Sequence, residues 1–268
     1  MTTDAPRFPE RQSLPGSAER NTPAIVDALV PRLAALPPLL PADGRVSVRV
    51  LELASGTGAH VAAIARAEAL KSRNLSFQPT EADAFLCGKI KEAVTLQQQA
   101  GRSQGATVLE PRILDLTKDN DWAGVGRAQL EVDGDERDQR TAAFDAVLAF
   151  NLLHITPFEV THSIFAHLDP ASYRVQQASE EAVPLLDQTH GFIAFYGAFK
   201  EHEDDELSEG NARFDADIRS RNPAFGIRSV DAVSKVAREH GYALAERIAM
   251  PANNWIIVFR PRNNGPSS

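Results

Sequence analysis

The segment Val50-Leu51-Glu52-Leu53-Ala54-Ser55-Gly56-Thr57-Gly58-Ala59-His60 limits the possible folds of this chain more than any other stretch. An apolar run ends in small residues and two glycines, and a helical pattern follows at once. Gly56 and Gly58 permit backbone angles that side chains disfavour, and they let main chain approach a ligand closely. The first turn of the next helix offers unpaired N–H groups. Strand, glycine turn and helix together open a parallel α/β sheet, in which ligands sit outside the carboxyl ends of the strands.

The rest of the chain repeats this alternation. Strands are predicted at 46–53, 75–79, 106–114, 144–150 and 191–196, with a closing pair at 242–248 and 255–259. Helices are predicted at 18–36, 60–70, 82–100 and 230–240. Pro31 predicts a kink or break in the first. Residues 144–150 are almost all apolar, as a strand buried on both faces should be. Two stretches interrupt the pattern: a polar insertion near 126–140, read as mobile surface, and a second near 172–187, read as partly helical. Residues 1–16 and 263–268 read as flexible tails around one domain at 17–262.

Composition narrows the function classes. The chain has 268 residues, 43% of them hydrophobic, which suits a single large core. Its one cysteine, Cys87, cannot form an intrachain disulfide, and the formal charge of −8 disfavours nonspecific nucleic-acid binding. The seven histidines are scattered, so no metal-ligand cluster is expected. No apolar run is long enough to span a bilayer, and the polar start lacks the core of a secretory signal. A cytoplasmic protein acting on a small molecule is the expectation, with no nucleic-acid or membrane partner. The oligomeric state is left open.

Two cofactor classes use such a turn. The dinucleotide pattern needs a third glycine where this chain has Val61, and the phosphate-loop pattern G-x-x-x-x-G-K-[ST] is absent. An acidic residue, Glu52, on the strand before a G-x-G turn is the S-adenosylmethionine pattern. The second strand tip carries Glu81, placed to accept ribose hydroxyls, while Asp83 suits a helix cap. At the third tip, Asp115 is a candidate acceptor for the adenine amino group, with Leu116 packed on the ring. Asn151 and His154 follow the fourth strand. His154 is the candidate general base, and Tyr196, at the end of the fifth strand, its partner.

These residues, taken with others, resemble the methyltransferase-like 26 family. The motifs are Ser17-Ala18-Glu19-Arg20-Asn21, Leu51 to Gly58, Gln78-Pro79-Thr80-Glu81-Ala82-Asp83, Asn151-Leu152-Leu153-His154-Ile155 and Phe195-Tyr196-Gly197-Ala198-Phe199. Phe214-Asp215, Gly226-Ile227-Arg228 and Met250-Pro251-Ala252-Asn253-Asn254 complete the set. The family usually has glutamine at Ala59, aspartate at Glu81 and proline at Ala198.

The resemblance implies a class I methyltransferase fold: a Rossmann-like three-layer sandwich with seven strands, mostly parallel, the last antiparallel. It implies S-adenosylmethionine as cofactor and methyl transfer to a small-molecule acceptor. Glu19, Arg20, Asn21, Glu52, Ala54, Ser55, Gly56, Gly58, Glu81, Asp115, Leu116 and Asn151 would hold the cofactor. His154, Tyr196, Asn211, Phe214, Arg228, Asn253 and Asn254 would line the acceptor side, with residues 208–221 as a helical cover. Two alternatives stay open: a non-methylating reaction on the same fold, or adenosylmethionine binding without catalysis.

Overall fold

The computed structural model describes residues 5–11, 16–37, 48–71, 73–99, 106–131, 142–176 and 182–262. In chain order the elements are α1 (Ser17–Ala34), β1 (Val48–Leu53), α2 (Ala59–Ile64), β2 (Leu75–Glu81), α3 (Ala84–Gln99), β3 (Thr107–Val108), β4 (Arg112–Ile113), α4 (Asp119–Glu131), β5 (Ala146–Phe150) and α5 (Phe158–Leu168). There follow β6 (Val175–Gln176), β7 (Ala182–Val183), β8 (Phe192–Lys200), α6 (Glu209–Arg221), β9 (Arg228–Ser229), α7 (Val230–Glu239), β10 (Tyr242–Met250) and β11 (Asn254–Pro261).

The main sheet runs β10-β11-β8-β5-β1-β2-β3, with β4 attached to β2 and β9 to β8. β1, β2, β5 and β8 pair in parallel, and β11 alone is reversed against both of its neighbours, β8 and β10. This is the expected α/β class: a mostly parallel sheet closed by an antiparallel strand. Alternate side chains on each strand feed two cores. Val48, Val50, Phe77, Leu148, Phe150 and Tyr196 pack with α1 and α2. Leu51, Leu53, Val147, Ala149, Phe195 and Phe259 pack with α4, α5 and α7. All six residues of β1 are buried, because helices cover both faces. Among the described residues no helix is long and apolar enough to cross a membrane.

Several expectations change. α1 runs unbroken through Pro23 and Pro31 to Ala34; Pro31 gives up one helical hydrogen bond, and the buried face of Ile25, Leu29, Val30 and Leu33 holds the helix across it. The third strand is split into β3 and β4, because Pro111 between them has no N–H to give the ladder. β8 runs on to Lys200, so Tyr196 sits mid-strand rather than at its end. In the stretch at 172–187, the described residues carry the antiparallel pair β6–β7 and no helix, and they bury Val175, Val183 and Leu185; residues 177–181 lie outside the described residues. Residues 126–131 are the end of α4, not a mobile loop. A Cβ at Gly126 would lie 2.6 Å from Val175, so α4 and β6 are closely packed. The rest of that insertion, 132–140, lies outside the described residues, as do 1–4, 12–15 and 263–268 of the tails.

Candidate functional site

The carboxyl tips of β1 and β2 are tied together through main chain. Ser55 N–H donates to the Thr80 carbonyl (2.9 Å), Thr80 N–H to Ser55 Oγ (3.2 Å), and Thr80 Oγ1 to the Glu52 carbonyl (2.7 Å). The turn then passes through Ala54 at φ 51°, Gly56 at φ 60° and Gly58 at φ 78°. The two glycines differ in kind. A Cβ at Gly58 would lie 3.2 Å from the Ile90 Cα of α3, so that position is closed by packing. A Cβ at Gly56 would meet nothing within 4 Å, which leaves its backbone open to a ligand.

Two buried acids flank this opening. Glu81 Oε1 accepts from Gly56 N–H (2.9 Å) and Oε2 from its neighbour Ala82 N–H (3.0 Å). Burial pushes its pKa up to about 7, against the pull of those amides. Glu52 is 1% exposed, and neither carboxylate oxygen has a hydrogen-bond partner. Burial pushes it up to about 8, with Ser55 lowering and Glu81 raising it slightly. An open glycine backbone beside an orphaned buried acid and a second carboxyl fits a cationic nucleoside such as S-adenosylmethionine.

The expected N-terminal tail contributes to this end. Residues 9–11 form a short 3₁₀ turn, and Arg7 N–H donates to Asp83 Oδ2, whose other oxygen caps Phe85 N–H at 2.9 Å. The Arg11 guanidinium lowers the Glu81 pKa, and Arg7 and Arg11 both stack on Phe8 (4.8 and 4.2 Å). α1 starts close by: Thr22 Oγ1 lies 3.0 Å from His60 Nδ1 at the head of α2, and the His60 ring rests 4.7 Å from Phe150. Glu19 and Arg20 are exposed and Asn21 half-buried on that first turn; Glu19 acts on His60 electrostatically. The Thr22–His60 bridge has no local sequence signal, since 38 positions separate the pair. An open groove of about 590 Å³ between α1 and α2 is lined by Thr22, Pro23, Ala63 and Arg66 among others, with no glycine-turn residue.

The third strand tip is arranged otherwise than expected. Asp115 Oδ1 accepts from Thr117 N–H and Oγ1 (3.2 and 2.8 Å), and the side chain pairs with Lys118 (3.3 Å). It is thus committed to its own turn, and those contacts hold its pKa low. Leu116 is buried in the core beside Trp122, which donates to its carbonyl at 3.0 Å.

On the other side, Asn151 adopts φ 54° and its N–H donates to the Tyr196 carbonyl (2.7 Å). His154 is fully buried, edge-on to Phe214 of α6 at 5.0 Å. Gly197 makes room for it, since a Cβ there would lie 3.1 Å from the imidazole. Burial, then the Arg228 charge, pushes His154 down to about 4. Burial pushes Tyr196 up to about 12. Arg228 donates to the carbonyls of Leu153 (3.2 Å), Thr156 (2.7 Å) and Ala224 (2.7 Å). Asp215 is equally occupied, with Ile227 N–H and Arg219 (both 2.6 Å). Asn211 Nδ2 donates to the Asn253 carbonyl (3.3 Å), and Asn253 Nδ2 to Ser208 Oγ (3.2 Å). Asn254 Nδ2 donates to the Pro251 carbonyl (3.0 Å). These residues assemble around His154 and the 251–254 turn, with much of their polar capacity used on one another.

Comparison with known proteins places the chain in a family. It belongs to the DUF938 family, described as proteins of unknown function, whose profile matches residues 12–261. Among solved structures it is similar to the mitomycin 7-O-methyltransferase MmcR (TM-score 0.53, 12% identity, covering 88% of this chain and 54% of that one). It is similar to an O-methyltransferase from neocarzinostatin biosynthesis, solved with S-adenosylmethionine and 2-hydroxy-5-methyl naphthoic acid (TM-score 0.52, 11% identity, 91% and 54%). A third is the magnesium protoporphyrin IX methyltransferase of Synechocystis PCC 6803 with bound S-adenosylhomocysteine (TM-score 0.51, 15% identity, 92% and 84%). The chain spans about half the length of the first two. At such identities the likeness is one of fold, the class I methyltransferase fold.

Proposed function

We propose that this DUF938-family chain is an S-adenosylmethionine-dependent methyltransferase of the methyltransferase-like 26 type, acting on a small-molecule acceptor. The observation that carries the reading is Glu52, a buried acid without a partner beside the open backbone of Gly56. A cationic ligand is what such an acid lacks. Gly56 and Gly58 would shape the cradle, Glu81 would take the ribose hydroxyls, and Glu52 would face the positive charge. Ala54, Ser55 and Asn151 would complete the wall, with Glu19, Arg20 and Asn21 above it.

When bound, S-adenosylmethionine supplies an electrophilic methyl group. The protein's own contribution is orientation and exclusion of water. His154 and Phe214 would form the acceptor wall, closed by α6 and the 251–254 turn; Tyr196, expected as the partner of His154, packs instead with α1 and α2 on the sheet face opposite Gly197. Arg228 and Asp215 would act on that wall by holding its loops. With His154 held near 4 and Tyr196 near 12, neither is tuned to take a proton at neutral pH. That favours an acceptor already nucleophilic, and it is the observation behind a second reading, in which the chain binds adenosylmethionine without transferring its methyl.

Calorimetric titration with S-adenosylmethionine and S-adenosylhomocysteine tests the first claim: both bind, and Glu81→Ala weakens each by about 1–3 kcal/mol, the range for a hydrogen bond to a charged group. Absence of binding to either would end the methyltransferase reading. Binding without turnover across a broad acceptor panel would favour the second.

A further inference from the structure

Glu52 stands on β1 out of contact with water, and neither carboxylate oxygen has a partner. The Ser55 hydroxyl is near enough to lower the Glu52 pKa, but its Oγ is directed to the Glu52 main-chain carbonyl at 3.5 Å. The charged group that faces Glu52 is Glu81, a second acid, which is itself faced by Asp83 and Arg11. An ionised carboxylate that is dry, unpaired and next to another acid is far costlier than the neutral acid. The ligand-free protein therefore keeps Glu52 protonated, in agreement with the upward push of its pKa to about 8.

We infer that a cationic ligand entering beside the glycine turn displaces the Glu52 proton, so that cofactor binding is coupled to proton release. This rests on the adenosylmethionine reading above. The ligand brings a fixed positive charge, the carboxyl O–H gives its proton to the solvent, and the carboxylate stays beside that charge. No bond to the ligand forms or breaks. Two consequences follow from this coupling. Affinity for the cationic ligand rises with pH, approaching tenfold per unit while free Glu52 is protonated. A neutral nucleoside of similar shape cannot drive the ionisation, so the site selects for the charged amino-acid tail.

Calorimetry at pH 7 in phosphate and in imidazole counts the protons, because the two buffers differ in ionisation enthalpy. S-adenosylhomocysteine, whose ammonium group is charged at that pH, is the probe. Glu81 also titrates in this range, so Glu81→Gln isolates Glu52. The expected result is about one proton released on binding to Glu81→Gln, and about one fewer from Glu52→Gln than from the unaltered protein. Neutral methylthioadenosine should release none in Glu81→Gln. Binding of S-adenosylhomocysteine to the unaltered protein with no buffer-dependent heat overturns the coupling and leaves the cofactor reading intact. No binding heat in any buffer overturns the cofactor reading and the coupling together.

Discussion

The two ends of the site are made differently. At the glycine turn, main-chain groups of β1 and β2 do most of the work: Gly56 and Ala82 amides hold Glu81, and Ser55 and Thr80 lace the strand tips. At the His154 end, side chains hold segments far apart in sequence. Arg228 reaches back 75 positions to Leu153, and Asn211 forward 42 to Asn253. The first end is built by adjacent parallel strands. The second depends on a cover, α6, whose only buried hydrophobic residue is Ile218. The electrostatics differ too: the glycine turn is flanked by acids whose ionisation burial opposes, whereas the other end surrounds a histidine that burial keeps neutral.

The largest expected effect is at the glycine turn. Gly58→Val places a side chain at φ 78° against the Ile90 backbone, and should cost about 2–4 kcal/mol of stability in chemical denaturation. Gly56→Ala, with open space before it, should cost only about 1–2 kcal/mol. Equal losses would break the distinction between a closed and an open glycine.

The pH dependence of stability separates the two ends next. Glu52 and Glu81 have folded pKa values near 8 and 7, above the ordinary 4.5, so the stability linked to their protons is present at low pH and is lost as pH rises through that range. His154 lies near 4, below the ordinary 6.5, so its contribution is present above 6.5 and is lost as pH falls toward 4. The limb of the two acids is the larger, because it sums two upward shifts against the single downward shift of His154. Melting curves across pH should show the alkaline limb flattened by Glu52→Gln and the acid limb by His154→Gln. The reverse assignment would refute both.

Arg228→Met should then cost about 1–2 kcal/mol, through the carbonyls it leaves at Leu153, Thr156 and Ala224. It should also raise the His154 pKa in an NMR titration, since the Arg228 charge lowers it. The smallest effect concerns the N-terminal residues. Asp83→Asn keeps an oxygen for Phe85 N–H and loses the acceptor for Arg7, so trypsin should cut after Arg7 a few-fold faster, with about 0.5–1 kcal/mol or less in global stability. An unchanged cleavage rate would show that this contact does not hold residues 5–11 to the sheet.

Much of the glycine-turn end was legible in the sequence, because its signals are local. Two glycines within three positions and an acid just before them state the turn directly. Strand alternation orders the tips, and the burial of Glu81 beside the turn follows from β1 pairing with β2. Asp115 was harder: a strand-tip carboxylate looks the same whether it faces a ligand or caps its own turn, and Thr117 and Lys118 decide between these. At the other end the motifs containing His154, Asn211, Arg228 and Asn253 could be found, but not their work. Arg228 carries the composition of a substrate clamp and uses it on three carbonyls.

The sequence by itself determined the class of fold, the position of the glycine turn and the acids around it. Hydrophobic period, glycine placement and strand-end chemistry act over a few residues, and their physics is readable at that range. Only the tertiary structure decided that residues 5–11 return to Asp83, that β8 carries Tyr196 mid-strand, and that Glu52 has no partner. Those facts depend on which groups meet across tens of residues, and on whether water or protein stands beside a charge. Gly56 and Gly58 show both sides: the sequence placed two flexible positions in one turn, and packing closed one against Ile90 while leaving the other open.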